Sequence, residues 1–214
     1  MRQKEKEERK LTKAELRRKE RFEALTAEME GQGWTVHSLT IGVVKANILA
    51  LVMMVPFAVL FTGWYLAVNG RREVLSLSEL PLVLGLLFVL IVAHEGIHAL
   101  VWGLCVPSGF RSIEFGVVWA ALTPYCTCAE PMKRWQYLLG SAMPTLVLGF
   151  GLGMAAVYMG MFPLLYLSVL LILGGGGDFC IILKLLAYRP QGEAVYCDHP
   201  YKVGLVAFER PARD

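Results

Sequence analysis

Residues 81–104 read PLVLGLLFVLIVAHEGIHALVWGL. An apolar run of this length is enough to cross a hydrocarbon layer of roughly 30 Å, which takes about 20 helical residues. Inside it stands His94-Glu95-Gly96-Ile97-His98, the pattern H-E-x-x-H. On a helix, residues four apart lie one turn apart on nearly the same face, so the two imidazoles can share one metal ion. Glu95, beside the first of them, is placed to take a proton from a metal-bound water. Three polar residues within five positions of one apolar helix are costly in lipid, at least ~2.5–3.5 kcal/mol for a charge at the bilayer centre. A shared metal ion offsets that cost for all three at once.

Three further apolar stretches flank this one, giving predicted spans at Ala46–Val68, Pro81–Leu104, Gln136–Met161 and Leu164–Ala187. The 56% hydrophobic content of the 214-residue chain is concentrated in these blocks, above the roughly 45–50% of soluble domains. A very short turn at Phe162-Pro163 predicts an antiparallel hairpin of the last two spans. Gly149 and Gly153 form a G-x-x-x-G face for close helix packing, and Pro144 implies a kink. Lys and Arg distribution favours an inside N-terminus, with residues 1–45, the loop 105–135 and the tail on one side, and Arg71 and Arg72 on the other. Both termini are therefore expected in the cytoplasm.

The connection 105–135 is too apolar for a solvated loop. Residues 113–119 followed by Thr123-Pro124-Tyr125 read as one or two short strands, tolerated at membrane depth only where protein or a wet cavity satisfies the backbone. The tail, Ala194 to Phe208, holds two extended runs around Asp198-His199-Pro200 and reads as a small hairpin. The expected fold is an all-α membrane protein of about four transmembrane helices, with a short strand-like re-entrant segment and a small extended C-terminal tail. Residues 1–40 form a charged cytoplasmic N-terminal helix, 41–187 the transmembrane catalytic domain, and 188–214 an extramembrane tail hairpin.

Residues 1–30 carry ten Lys/Arg and eight Glu, mixed in sign. A nucleic-acid arm would be more uniformly basic, so nucleic acid is not an expected partner. Glu15–Lys19 and Glu5–Arg9 fall at i,i+4 spacing, while Leu11, Phe22, Leu25 and Met29 make a thin apolar stripe, the pattern of a solvated helix. The five cysteines do not space as a disulfide framework, and Cys126-Thr127-Cys128 has no second ligand pair nearby.

A catalytic zinc takes three protein ligands and keeps a position open. Among the ionisable residues of the spans, only Glu95 and Asp178 are acidic, only His94 and His98 are histidines, and Lys184 lies near a span end. Asp178 is the natural third ligand. It follows Gly174-Gly175-Gly176-Gly177, which weaken the helix and let another backbone approach. Its depth also matches: His94 and His98 precede Leu104 by ten and six residues, and Asp178 precedes Ala187 by nine, placing all three roughly 10–15 Å from one face. Glu114 and Glu130 are alternatives if the loop folds back. His37, Asp198 and His199 lie outside the spans, and Ser141 and Thr145 are available for hydrogen bonds across helices or to substrate backbone.

With these residues the chain resembles the site-two protease group of intramembrane metalloproteases, and more closely a bacterial family of small predicted membrane zincins of unassigned function. The resemblance rests on His94-Glu95-Gly96-Ile97-His98, on Ala142-Met143-Pro144, on Gly177-Asp178 and on Asp198-His199-Pro200, and covers roughly residues 80–208. It implies zinc ligation by His94, His98 and Asp178, with Glu95 as general base. One departure is that Asp178 follows four glycines and precedes Phe179, where site-two proteases have an aspartate followed by glycine.

The expected activity is zinc-assisted hydrolysis of peptide bonds in a membrane protein or peptide substrate, within or beside the bilayer of the bacterial cytoplasmic membrane. Residues 113–125 are expected to hold an unwound substrate strand by β-addition. The alternatives are a divalent-metal transporter, which should show polar residues at several depths rather than one cluster, and a non-enzymatic membrane metalloprotein. Substrate, cleavage site and oligomeric state are not encoded in any motif of the chain.

Overall fold

Backbone groups in an apolar run find no partner in the surrounding side chains, so such runs close their hydrogen bonds internally as helices. The computed structural model describes residues 12–70, 75–118 and 123–211. Its long helices are α2 (Val43–Asn69) and α3 (Leu80–Cys105). A third continuous rod is made of α4 (Arg134–Pro144), a π-helical stretch Thr145–Gly151 and α5 (Leu152–Met159). Two shorter helices follow, α6 (Phe162–Gly174) and α7 (Gly176–Ala187), bent by 40° at their junction. Three of these helices are long and apolar enough to cross a membrane, or four if the bent pair is one span. Their outward faces are apolar, with Val52, Val59, Leu82, Phe88 and Val92 all more than half exposed.

Pro144 does not break the third rod. It ends α4, and the chain continues through the π-helical stretch, while the carbonyl four residues back that proline cannot reach, that of Gly140, accepts from His98 Nδ1 at 2.9 Å instead. The turn between the last two rods also differs from expectation. Gly160 makes it, with φ 66°, and Phe162 and Pro163 already open α6, where a missing N–H costs nothing. Gly149 packs on Ile172 and Gly153 on Phe61 and Ser168, so the G-x-x-x-G face is the contact with α6 and, through Phe61, with α2. There the Ser168 hydroxyl donates to the Gly149 carbonyl at 2.7 Å.

Strands and α1 gather at one end of the rods. β2 (Ile113–Val118) and β3 (Thr123–Cys128) form an antiparallel hairpin, Ile113 opposite Cys128. β4 (Glu193–Asp198) and β5 (Gly204–Arg210) form the expected tail hairpin. The segment 1–40, expected as one charged helix, is helical over α1 (Lys13–Gly31), while Thr35–Thr40 is a strand, β1, paired with β5. The tail sheet therefore has order β1-β5-β4. The physical reason is burial on two sides: Val36 packs beside Val206 and Phe208, while Leu39, of opposite parity along the strand, packs against the separate core cluster that holds Leu205 and Ala207. Gly33, with φ 82°, separates helix from strand.

The α1 surface also corrects one pairing. Glu15 does not reach Lys19; at position N3 its carboxylate accepts from the Thr12 backbone at 2.8 Å and hydroxyl at 2.9 Å, closing a capping box. Lys19 pairs with Glu23 instead, at 3.7 Å. Phe22, Leu25 and Met29 do form the stripe and pack on the tail sheet. Leu11, the Glu5–Arg9 pair, Arg71, Arg72 and Trp119 lie outside the described residues.

Candidate metal centre

Two facts of chain geometry bring His94, His98 and Asp178 together. The first is the helical turn that stacks His94 and His98, with ring centroids 5.0 Å apart. The second is the break at Gly174–Gly177, where the four glycines do different work. A Cβ on Gly175 would stand 1.9 Å from the Thr145 hydroxyl, and one on Gly176 would stand 2.7 Å from the Ala50 Cβ, so both positions seat the start of α7 against α2 and the π-helical stretch. Gly174 and Gly177 meet nothing within 4 Å and line the cleft over the site. The bend they permit aims Asp178 at α3.

Asp178 Oδ2 lies 3.2 Å from His94 Nε2, and Oδ1 lies 3.5 Å from His98 Nε2. One ligand atom from each residue falls within 4.8 Å of the others. Atoms each about 2.0–2.1 Å from one tetrahedral ion stand roughly 3.3 Å apart, close to the separation of each imidazole from its nearer carboxylate oxygen. Two imidazole nitrogens and one carboxylate oxygen are a donor set that suits zinc, and a catalytic zinc held by three such ligands would keep one position for water.

The tautomer of His98 is fixed from outside. Its Nδ1–H donates to the Gly140 carbonyl at 2.9 Å, and a carbonyl can only accept, so Nε2 keeps its lone pair toward Asp178. The His98 ring is stacked on Trp102 at 4.9 Å and 19°, and only 4% of the residue is exposed. Trp102 in turn lies flat against Gly140, where a Cβ would come within 1.9 Å of its indole nitrogen. Gly140 and Trp102 thus hold the second histidine in place. Neither carried a sequence signal beyond Trp102 falling one turn after His98.

Glu95 lines the same cleft and faces the backbone N–H of Cys126 on β3. The cleft has a volume of about 760 Å³. It runs from the triad past Ser141 and β3 to the tail loop 198–204 and the first turns of α1. Glu114 is committed elsewhere, in an ion pair with Arg21, and neither it nor Glu130 is among the described residues lining the cleft. Cys126 and Cys128 are buried free thiols, and among the described residues the triad is the one group arranged to hold a metal.

Asp198, set aside in the sequence because it falls outside the predicted spans, lies at the cleft wall. It accepts from the Tyr137 hydroxyl and, at 3.3 Å, from the Cys128 backbone N–H, tying the tail to α4 and β3. Burial holds its carboxyl above the ordinary range, against the pull of those two donors. The Asp-His-Pro segment of the tail was the visible sign of this anchor.

Residues 87–192 match the family model described as "Putative zincin peptidase". That stretch, just under half the chain, takes in His94, Glu95, His98 and Asp178 and ends one residue before β4. It is narrower than the resemblance expected over residues 80–208 and leaves out Asp198-His199-Pro200. No curated protein and no solved structure matches the chain. The match supports a metallopeptidase and zinc as its metal.

Proposed function

We propose that the chain is an intramembrane zinc metallopeptidase that hydrolyses peptide bonds of membrane-associated substrates, in the manner of the site-two proteases it resembles. The observation that carries this reading is the set of three converging ligand atoms of His94, His98 and Asp178, with Glu95 beside them, opening into a cleft that reaches the polar end of an otherwise apolar bundle. His98 lies seven residues before the end of α3, about 10 Å of helix, so the site sits at membrane depth yet is wetted from that end. The strands and α1 share that end, assigned to the cytoplasmic side together with both termini by the excess of Lys and Arg.

His94 Nε2, His98 Nε2 and an Asp178 carboxylate oxygen hold the metal. Zinc bound there supplies Lewis acidity, polarising a carbonyl oxygen and acidifying water. The Glu95 carboxylate accepts a proton from the attacking water and delivers it to the leaving amine nitrogen. Gly140 keeps His98 in the ligating tautomer throughout. The β2–β3 hairpin receives the substrate in extended form, since a helix hides the carbonyl that must be attacked.

The test is metal content and cleavage on the same purified preparations, reconstituted in liposomes with membrane-peptide substrates. Wild type should carry about one zinc per chain, and a His94→Ala, His98→Ala double variant should lose it; full retention refutes the site. Asp178→Asn should weaken binding. Glu95→Gln should keep the metal and abolish cleavage, and a wild-type rate in that variant refutes the base.

A further inference from the structure

Among the described residues Arg18 is a cation without an anion. It lies on α1 at the mouth of the cleft, its guanidinium 4.3 Å above the centre of the Tyr125 ring. Its Nε is buried with no hydrogen-bond partner, and among the described residues it makes no ion pair. The nearby carboxylates are taken. Glu15 closes the capping box with Thr12, Glu114 pairs with Arg21, and Asp198 accepts from Tyr137 and Cys128. A second cation, Lys202, lines the same cleft, 5.8 Å from the centre of the Tyr201 ring.

Position gives this charge its meaning. Tyr125 precedes Cys126, whose backbone N–H faces Glu95. Along a strand each residue advances about 3.3 Å, so Arg18 stands within two or three residues of the bond to be cut. Helix α1 is fastened there by the Arg21–Glu114 pair and by Phe22, stacked on His199 at 6.2 Å and 24°. The guanidinium is therefore held over the Tyr125 ring at the cleft wall. A planar fork of this kind pairs with a carboxylate or a phosphate, and of the two an unmodified peptide offers the carboxylate.

We infer that Arg18, assisted by Lys202, is a specificity-determining residue that binds a carboxylate of the peptide substrate within about three residues of the scissile bond. The inference rests on the peptidase reading. The carboxylate comes either from an Asp or Glu side chain or from the substrate's own C-terminus, and the two are separable by experiment.

Three sets of fluorogenic peptides test it on the full-length zinc-loaded chain: C-terminally amidated peptides with Glu moved through the three positions on either side of the bond, the same peptides with Gln or Lys, and neutral peptides with a free C-terminus. Hydrolysis is measured with wild type and binding with the Glu95→Gln variant. One position, or the free C-terminus, should be favoured over its neutral counterpart roughly tenfold in kcat/KM, carried by KM. Arg18→Gln should collapse that ratio toward one, Arg18→Glu should invert it toward Lys, and Arg18→Lys should keep part of it. Metal content and melting temperature of the variants report that the fold is intact. Cleavage by wild type without any charge preference, or a preference unchanged in Arg18→Gln, overturns the assignment alone. A chain that neither binds nor cleaves any of the peptides overturns it together with the peptidase reading.

Discussion

Gly140→Ala is a one-carbon change on α4, a helix that carries none of the three candidate ligands, yet it should disable the metal centre. The added Cβ would stand 1.9 Å from the Trp102 indole nitrogen and 2.2 Å from its Cδ1. Ordinary contact begins near 3.5 Å, so the indole or the α4 backbone must move by about 1.5 Å. Neither is free to do so. Trp102 is 4% exposed, enclosed by Tyr137 and stacked on His98, and the Gly140 carbonyl is the acceptor that orients His98. Overpacking of this kind costs about 1–3 kcal/mol, and losing an outer hydrogen bond to a ligating histidine typically weakens metal affinity 10–100-fold. Zinc titration against a competing chelator and the melting temperature of the metal-free chain read the two effects separately. The control is Gly96→Ala, inside His94-Glu95-Gly96-Ile97-His98 itself. A Cβ there meets nothing within 4 Å, so stability should be unchanged or up to about 1 kcal/mol higher. A Gly140→Ala chain with wild-type zinc affinity and melting temperature would refute the proposed support of His98.

Two further outcomes follow from the end of the molecule that carries the strands. His199 Nδ1 accepts from the backbone N–H groups of Tyr201 and Lys202, and burial, with Lys202 nearby, lowers the His199 pKa to about 4. The folded chain then binds this proton less readily than the unfolded chain, so stability present above pH ~6.5 is lost as pH falls toward 4. Melting temperatures of wild type and His199→Asn across that window should diverge at high pH and converge at low pH; parallel curves contradict the reading. For Arg21 and Glu114, partly exposed partners far apart in sequence, a double-mutant cycle with Arg21→Gln and Glu114→Gln should give a coupling below about 1 kcal/mol that shrinks at high salt. A coupling of several kcal/mol, insensitive to salt, would show that α1 is fastened by more than this pair.

Much of this molecule is written in local patterns. The spacing of His94 and His98 alone places both on one helical face, and apolar runs alone mark the rods, because helix period and backbone satisfaction are local properties of a chain in an apolar setting. The depth match that singled out Asp178 also needs nothing beyond counting residues in parallel rods. The tail hairpin and the strands near 113–125 showed through their turn residues for the same reason.

What the tertiary structure decided is everything that depends on contacts between segments distant in sequence. Strand β1 has a partner, β5, about 170 residues away, so the segment before α2 could not be told from more charged helix by its own composition. Gly175 and Gly176 are required for packing while Gly174 and Gly177 are not, a distinction set by Thr145 and Ala50 on other helices. Gly140, Trp102 and Asp198 support the site without belonging to any spacing pattern, since a backbone carbonyl, a flat ring and a buried carboxylate act here through what they touch. Arg18 was one charge among many in a mixed run until the fold set it over Tyr125 at the mouth of the cleft.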